Sequence, residues 1–102
     1  MSDVYIVYTT TSGEEEAAII ARTVVDERLA ACGNILPKIR SIYRWQDVVE
    51  DESAVLFKTQ AGRVDALIQR IKTLHSYEVP DIVAYPVERG YGPYLDWVRA
   101  NT

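Results

Sequence analysis

The 102-residue sequence contains a single cysteine, Cys32, and a single histidine, His75. One cysteine excludes an intrachain disulfide and a chelate built from neighbouring cysteines. The simplest interpretation is a protein of the reducing cytoplasm. The first residues, 1–3, lack the basic start and the apolar stretch that are typical of a signal peptide, which favours the same compartment.

Long apolar runs and a basic surface are also missing. No segment approaches the roughly 20 apolar residues that a membrane span needs, so we expect no membrane partner. The net charge is −4, and the 11 Lys and Arg residues are scattered along the chain. Because phosphate binding needs clustered cations, we expect no nucleic-acid partner. With 48% hydrophobic residues, the composition is that of one packed domain over residues 1–102.

Punctuating residues divide the sequence into seven elements. Residues 3–9 form the first predicted strand, which is continuously apolar, as in a strand covered on both faces. Ser12 with Glu15 predicts a capping box before a helix, and Thr11 with Glu14 is the alternative register. Three- and four-residue spacing predicts the buried stripe of this helix, and Gly33 is its predicted stop. The stripe consists of Ala18, Ala21, Val25, Leu29 and Cys32.

Two long strands, residues 35–46 and 48–60, are predicted next as a hairpin, with a bend or bulge at 50–53. The helical period of the apolar residues predicts a second helix over 63–75. These residues are Val64, Leu67, Ile68, Ile71 and Leu74. A fourth strand over 82–88 contains Pro86, which suits a sheet edge. Gly92 and Pro93 begin a short third helix.

The order of these elements is β-α-β-β-α-β-α. It predicts an α+β fold of the ferredoxin-like kind, an antiparallel sheet with the two main helices on one face and a short C-terminal helix. The hairpin strands are about twelve residues long and the first strand about seven, so the hairpin extends beyond its neighbour. Apolar residues at the extending end are expected at a subunit interface. They are Tyr43, Trp45, Val48 and Val49. The alternative is a monomer whose third helix covers the open sheet face.

Three blocks of the sequence, in order and in register, resemble the CutA divalent-cation tolerance family over about four-fifths of the chain. The blocks are Arg28–Pro37 with Ser41–Trp45, then Glu52 with Leu56–Thr59, and then His75–Pro80 with Pro86, Gly90 and Tyr94–Trp97. The resemblance implies a ferredoxin-like fold and a tight homotrimer whose hairpins pair between subunits, similar in architecture to the nitrogen-regulatory PII proteins. It also implies a link to tolerance of divalent cations and an association with copper binding, without a settled enzymatic activity.

The sequence departs from the family pattern at three positions. Ser76 stands where the family usually has proline, Asp47 where a glycine is common in the hairpin, and Gly33 where a small aliphatic residue is typical. The first two departures would loosen a loop and a turn, and none of the three conflicts with the fold.

Cys32, His75 and Glu78 are the candidate metal ligands. A thiolate is a soft ligand that suits copper, and an imidazole followed by a carboxylate suits a divalent cation. The alternatives are structural: a buried Cys32 on the first helix, His75 as the C-terminal cap of the second, and Glu78 paired with Lys58 or with backbone amides. One His and one Cys cannot close a transition-metal site alone, so such a site must be shared between chains or be completed by carboxylates and water. We expect no obligatory cofactor.

A cleft between subunits that binds a small anionic ligand, as in a PII-like signalling module, is the second candidate. Its expected lining is Lys58, Tyr77, Glu78 and Trp97. The absence of a Gly-rich phosphate loop counts against nucleotides.

The acidic residues around the hairpin, Asp47, Glu50, Asp51 and Glu52, suit weak binding of a hard cation, and a solvated turn that protects a sheet edge is the alternative. No catalytic motif is recognisable, and Lys58, His75 and Glu78 form an acid–base group only if the fold brings them together. We therefore expect a non-enzymatic protein.

Overall fold

The computed structural model describes residues 3–44 and 49–102, with the backbone alone at residues 49 and 50. The described residues form four strands and three α-helices in the predicted order. The strands are β1 (Val4–Thr11), β2 (Cys32–Ile42), β3 (Val49–Gln60) and β4 (Ile82–Pro86). The helices are α1 (Glu14–Asp26), α2 (Val64–Leu74) and α3 (Gly92–Ala100), and a 3₁₀ turn, Ala61–Arg63, precedes α2. Among the described residues, no helix combines the length and the apolar character that crossing a membrane requires.

The strands form one antiparallel sheet in the order β2-β3-β1-β4. This order interleaves two β-α-β units, so the ferredoxin-like α+β prediction is confirmed. β4 is an edge strand that ends at Pro86, as the missing N–H of proline allows. The predicted extension of the hairpin is also observed. β1 ends where Thr11 pairs with Ser53, whereas β2 and β3 continue to pair from Ile39 and Glu52 onward.

Both main helices pack on one face of the sheet, here called the helix face. Its core is fully buried and consists of Val7, Val55 and Phe57 from the strands with Ile20, Val24, Leu67 and Ile71 from the helices. Fully burying one such side chain contributes about 1.5–3 kcal/mol, so this face supplies most of the hydrophobic stabilisation. The predicted stripe of α2 is confirmed, since Val64, Ile68 and Leu74 pack against the same core.

The stripe predicted for α1 is wrong in part. The buried residues of this helix are Ala17, Ile20, Ala21 and Val24, and Ala18 is exposed. The prediction counted Leu29 and Cys32 as helical, and this placed the stripe out of register.

The C-terminal end of α1 explains that error. Arg28 has a φ of 60°, in the left-handed region. The amide of Arg28 donates to the Val25 carbonyl at 3.0 Å, and the amide of Leu29 donates to the Val24 carbonyl at 2.9 Å. This is the Schellman arrangement that ends a helix, formed here without glycine. Cys32 therefore begins β2, and Gly33 lies within that strand instead of stopping the helix.

Two further local predictions need correction. Neither predicted capping pair forms: the N-cap of α1 is Gly13, and the amide and hydroxyl of Ser12 donate to Glu16 Oε1 at 2.9 and 3.0 Å. The bulge lies in β2 rather than at 50–53, because the pairing register shifts between Leu36 and Ile39. Pro37 lies in the shifted segment, where its missing amide N–H breaks the ladder.

The opposite side of the sheet, here called the open face, is covered by the described residues only at its ends. α3 packs against β1 and β3 at one end, where the Gln60 side-chain amide donates to the Thr102 carbonyl at 2.7 Å. The segment after α2 approaches the other end through a hydrogen bond between His75 and Thr10. Between these ends, Leu36, Val83 and Tyr85 remain 42%, 43% and 54% exposed. In the single chain, α3 therefore does not cover the open face as the monomer alternative requires.

Candidate functional site

Two polar clusters lie at the two ends of the open face. The thiol cluster consists of Cys32, Asn34, Lys58 and Tyr94, next to α3. The carboxylate cluster consists of Glu52, Tyr43, Tyr77, His75 and Thr10. Glu52 and Lys58 are both on β3, six residues apart, so the clusters are separated by about 20 Å along the strand.

Strand register builds the thiol cluster. Cys32 on β2 is the Cα partner of Lys58 on β3, which places both side chains on the open face. The Lys58 ammonium donates to Asn34 Oδ1, and Cys32 Sγ lies 4.0 Å from the same oxygen. Cys32 Sγ also lies 3.7 Å from the Tyr94 hydroxyl. The ring of Trp97 stacks on Tyr94, with ring centroids 5.8 Å apart and an interplanar angle of 24°.

Two features describe the electrostatics of this cluster: the raised pKa of Tyr94 and, within the described residues, the lack of a carboxylate paired with Lys58. Burial, together with the Cys32 thiol, raises the pKa of Tyr94 to about 12, so its hydroxyl keeps its proton near neutral pH. The described part of the chain contains no carboxylate in ion-pair contact with Lys58. The cations that do form ion pairs there are Lys38, Arg70 and Arg99. The alternative pairing of Glu78 with Lys58 is therefore not observed.

The carboxylate cluster is centred on Glu52, which is only 2% exposed. The hydroxyls of Tyr43 and Tyr77 donate to its two carboxylate oxygens. Burial by itself would raise the pKa of Glu52, but the surrounding hydroxyl groups of Ser41, Tyr43, Tyr77 and Thr10, of which the two tyrosines donate to it, outweigh burial and hold the pKa below its usual value. Glu52 is thus an ionised carboxylate held by neutral donors.

His75 is the C-cap residue of α2 and is only 9% exposed. Nδ1 accepts a hydrogen bond from the Tyr77 amide at 3.1 Å, so the ring proton is on Nε2, which donates to the Thr10 carbonyl at 2.7 Å. The predicted cap position is confirmed, although the ring bonds to β1 instead of the helix carbonyls. Both ring nitrogens are therefore occupied by backbone groups, whereas a metal ligand needs one nitrogen lone pair for the ion.

The single chain does not bring the three predicted metal ligands together. Cys32 lies beside Lys58, whereas His75 bonds to Thr10, the Cα partner of Ala54, about 13 Å along β3. Glu78 is exposed. Over residues 3–44 and 49–102, no group of three or more His, Cys, Asp and Glu side chains is placed to hold a metal ion. A metal site shared between chains stays a prediction.

The predicted ligand cleft is divided between the clusters. Lys58 and Trp97 lie at the thiol cluster, and Tyr77 belongs to the carboxylate cluster. The prediction placed this cleft between subunits, and a single chain does not test it. Cys32, expected on a helix, lies in β2 and contacts Asn34 and Tyr94 instead. A correct strand assignment would have placed Cys32 and Asn34 on one face, whereas no local pattern indicates the contact with Tyr94 on α3.

The structure also places some of the acidic residues of the hairpin and some of the predicted interface residues. The solvated-turn interpretation is wrong for Glu52, which is buried, whereas Asp51 is exposed and lies 3.9 Å from Lys38. Asp47, Trp45 and Val48 lie outside the described residues. Val49 begins β3, and Tyr43 is 37% exposed while it donates to Glu52.

Known proteins match almost the whole chain. Residues 5–101 match the family model described as CutA1 divalent ion tolerance protein. The divalent-cation tolerance protein CutA of Thermus thermophilus is 50% identical over 99 residues, which cover 95% of this chain and 96% of that protein. A solved structure of a Thermus thermophilus divalent cation tolerance protein has a TM-score of 0.92 at 48% identity and covers 97% of this chain and 98% of that one.

Two other relatives differ in length or in description. Human protein CutA is 47% identical over 97 residues, which are 93% of this chain but 54% of the human protein, so the chain spans about half of that relative. A structure from Archaeoglobus fulgidus, described as the periplasmic divalent cation tolerance protein CutA, has a TM-score of 0.86 at 36% identity. That match covers 93% of this chain and 94% of the Archaeoglobus chain.

Proposed function

Because the chain belongs to the CutA1 divalent ion tolerance family, we propose that it is a non-enzymatic homotrimer that takes part in tolerance of divalent cations. In this proposal copper or another divalent cation binds weakly at the subunit junctions, and no cofactor is obligatory. The observation that carries the proposal is the partly covered open face, since both candidate clusters lie on it.

Exposed apolar side chains support the trimer. Leu36, Val83 and Tyr85 lie on the open face, and Ile42 near the hairpin end is 77% exposed. The hairpin also extends beyond β1, which leaves a two-stranded ribbon that is marginally stable in water. Contacts with neighbouring chains would cover both features, as is typical of obligate oligomers. Sedimentation equilibrium is the direct test, and a monomer mass of 11.6 kDa would contradict the trimer.

Cys32 is the metal candidate that the structure favours. Its thiol is partly exposed, whereas the ring nitrogens of His75 are both bonded to backbone. Thiolate is the protein ligand that best suits copper(I). A second chain or water would have to complete the coordination.

Anaerobic titration calorimetry with copper(I) tests this site. We expect Cys32→Ser to lose most of the heat of binding and Glu78→Gln to keep it. His75→Ala should keep it as well, because its nitrogens do not face a ligand. Undetectable binding by the wild type would contradict direct copper binding. Full binding by Cys32→Ser would show that the copper site does not include Cys32.

The proposal includes a cytoplasmic location. A partly exposed free thiol is stable in a reducing compartment, which favours the cytoplasm. The Archaeoglobus relative is described as periplasmic. Fractionation of cells that express the native protein, followed by immunodetection, separates the two compartments.

A PII-like module that binds a small anionic ligand is the second candidate function. The observation that favours it is Lys58, a partly buried cation that is bonded to a neutral amide in the same cluster as Tyr94, whose ring stacks on Trp97. A thermal-shift screen over small carboxylates and phosphates tests it. A ligand at a hundred times its dissociation constant stabilises the folded protein by about 2.7 kcal/mol. If no compound in the screen raises the melting temperature, this second candidate loses its support and the metal-linked proposal remains.

A further inference from the structure

The thiol cluster presents hydrogen-bond donors to the open face. Asn34 Oδ1 accepts a hydrogen bond from Lys58 Nζ and lies 4.0 Å from Cys32 Sγ. These contacts use the amide oxygen of Asn34, so the two N–H groups of its amide nitrogen can donate to another acceptor. The Lys58 ammonium has three N–H groups, and Asn34 occupies one of them. The Tyr94 hydroxyl lies beside Cys32 and is protonated near neutral pH. A group that satisfied these donors would carry acceptor oxygens.

The charge of the cluster points to an anion. Lys58 is partly buried, and no carboxylate in residues 3–44 and 49–102 lies in ion-pair contact with it. The Lys58 ammonium is bonded to a neutral amide oxygen, and this contact is open to solvent, so a small anion can reach it. Opposite charges a few ångströms apart attract each other more strongly near a protein surface than in bulk water. The cation on this face therefore favours an anionic ligand.

Two stacked aromatic rings, Tyr94 and Trp97, lie at the thiol cluster. Tyr94 and Trp97 stack at 5.8 Å and remain 40% and 45% exposed on a short helix. Exposed aromatic faces pack favourably against a second planar ring. From the donors, the charge and the aromatic rings, we propose that the thiol cluster and Trp97 bind a small anion that carries a planar ring. An aromatic carboxylate is the class of ligand that fits these features.

This inference rests on the second candidate function and assigns its site and ligand class. The carboxylate accepts hydrogen bonds from Lys58 and Asn34, and the ring lies against Trp97. The carboxylate cluster at the far end of the sheet takes no part, because its donors already bind Glu52.

Ligand-detected NMR titration of the 102-residue protein tests the site with benzoate and its neutral isostere benzamide as probes. The wild type should bind benzoate at least fivefold more tightly than benzamide. Lys58→Met should abolish this preference, and Lys58→Arg should keep it. Trp97→Leu should weaken both probes at least threefold. Lys72→Met, which removes a cation from the exposed side of α2, is the matched control and should behave as the wild type.

Equal affinity for benzoate and benzamide in the wild type would overturn the inference, and so would a benzoate preference that survives Lys58→Met. The thermal-shift screen distinguishes a wrong site from a wrong candidate function. An anion that stabilises Lys58→Met as much as the wild type would support a ligand-binding module while placing its site elsewhere. Melting curves of Lys58→Met and Lys58→Arg verify that both variants are folded.

Discussion

The Tyr77 hydroxyl donates to the buried carboxylate of Glu52, and this bond connects the segment after α2 to β3, one of the two inner strands. Tyr43, just beyond the end of β2, donates to the other carboxylate oxygen. One carboxylate thus joins three segments that lie far apart in sequence. His75 supports the arrangement because its Nδ1 accepts the amide hydrogen of Tyr77. The cluster therefore fixes the 75–80 segment against the end of the open face.

Tyr77→Phe removes the Tyr77 hydrogen bond to Glu52 and keeps the aromatic ring. A hydrogen bond to a charged group contributes about 1.5–3 kcal/mol, so we expect the free energy of unfolding to fall by about that amount. Tyr91→Phe is the control, because Tyr91 is 76% exposed and its change should stay within about 0.5 kcal/mol. Urea unfolding at one fixed protein concentration measures both variants. Equal stability of the two would show that the Tyr77 bond does not hold the segment.

Glu52 should make stability depend on pH in acid. Its pKa lies below that of an unfolded glutamate, near 4.3, because hydroxyl donors outweigh the effect of burial. A depressed folded-state pKa contributes stability that is complete above the unfolded value and is lost as the pH falls through the folded value. The advantage of the wild type over Glu52→Gln should therefore be constant between pH 6 and 7 and shrink below about pH 4.

Denaturant unfolding at a series of pH values measures this difference. Glu78→Gln is the control on an exposed site, and its effect should stay within about 0.5 kcal/mol. A wild-type advantage that does not change between pH 6 and 3 would mean that Glu52 is not held as an ionised acceptor.

The periodicity of the sequence predicts the fold correctly. Sequence-based prediction fails at positions whose structure depends on contacts with residues far away in the chain. The 3.6-residue period of α2 and the position of Pro86 in an edge strand were both readable. The end of α1 was not, because a left-handed Arg28 has no glycine to mark it. Glu52 was interpreted as solvated for a similar reason: its partners Tyr43 and Tyr77 are 9 and 25 residues away, and no local pattern connects them.

Arg28 provides a test of backbone strain. Its left-handed φ of 60° costs a residue with a Cβ atom about 1 kcal/mol, whereas glycine adopts it freely. Its side chain also donates to the Ala100 carbonyl at 3.0 Å. Arg28→Ala and Arg28→Gly both lose that bond, so their difference isolates the backbone. We expect the glycine variant to be more stable than the alanine variant by about 1 kcal/mol in urea unfolding. A more stable alanine variant would contradict the Schellman end of α1.

The proposed trimer predicts different outcomes for two exposed aliphatic residues. Val83 is 43% exposed on the open face, and Ile19 is 57% exposed on α1, on the helix side of the sheet. If neighbouring chains cover the open face, Val83→Asp buries an unpaired carboxylate at every junction, which costs several kcal/mol. Ile19→Asp leaves its carboxylate in water, so its effect should stay within about 0.5 kcal/mol.

Sedimentation equilibrium over a dilution series distinguishes the two variants. The wild type and Ile19→Asp should remain trimeric at every concentration, whereas Val83→Asp should dissociate on dilution. Circular dichroism of Val83→Asp at high concentration separates dissociation from unfolding. If Val83→Asp stays trimeric while Ile19→Asp dissociates, the subunits meet through α1, and the thiol cluster on the open face lies away from the junctions. Dissociation of Val83→Asp alone would place both clusters at the faces where the chains meet, as a metal or ligand site shared between subunits requires.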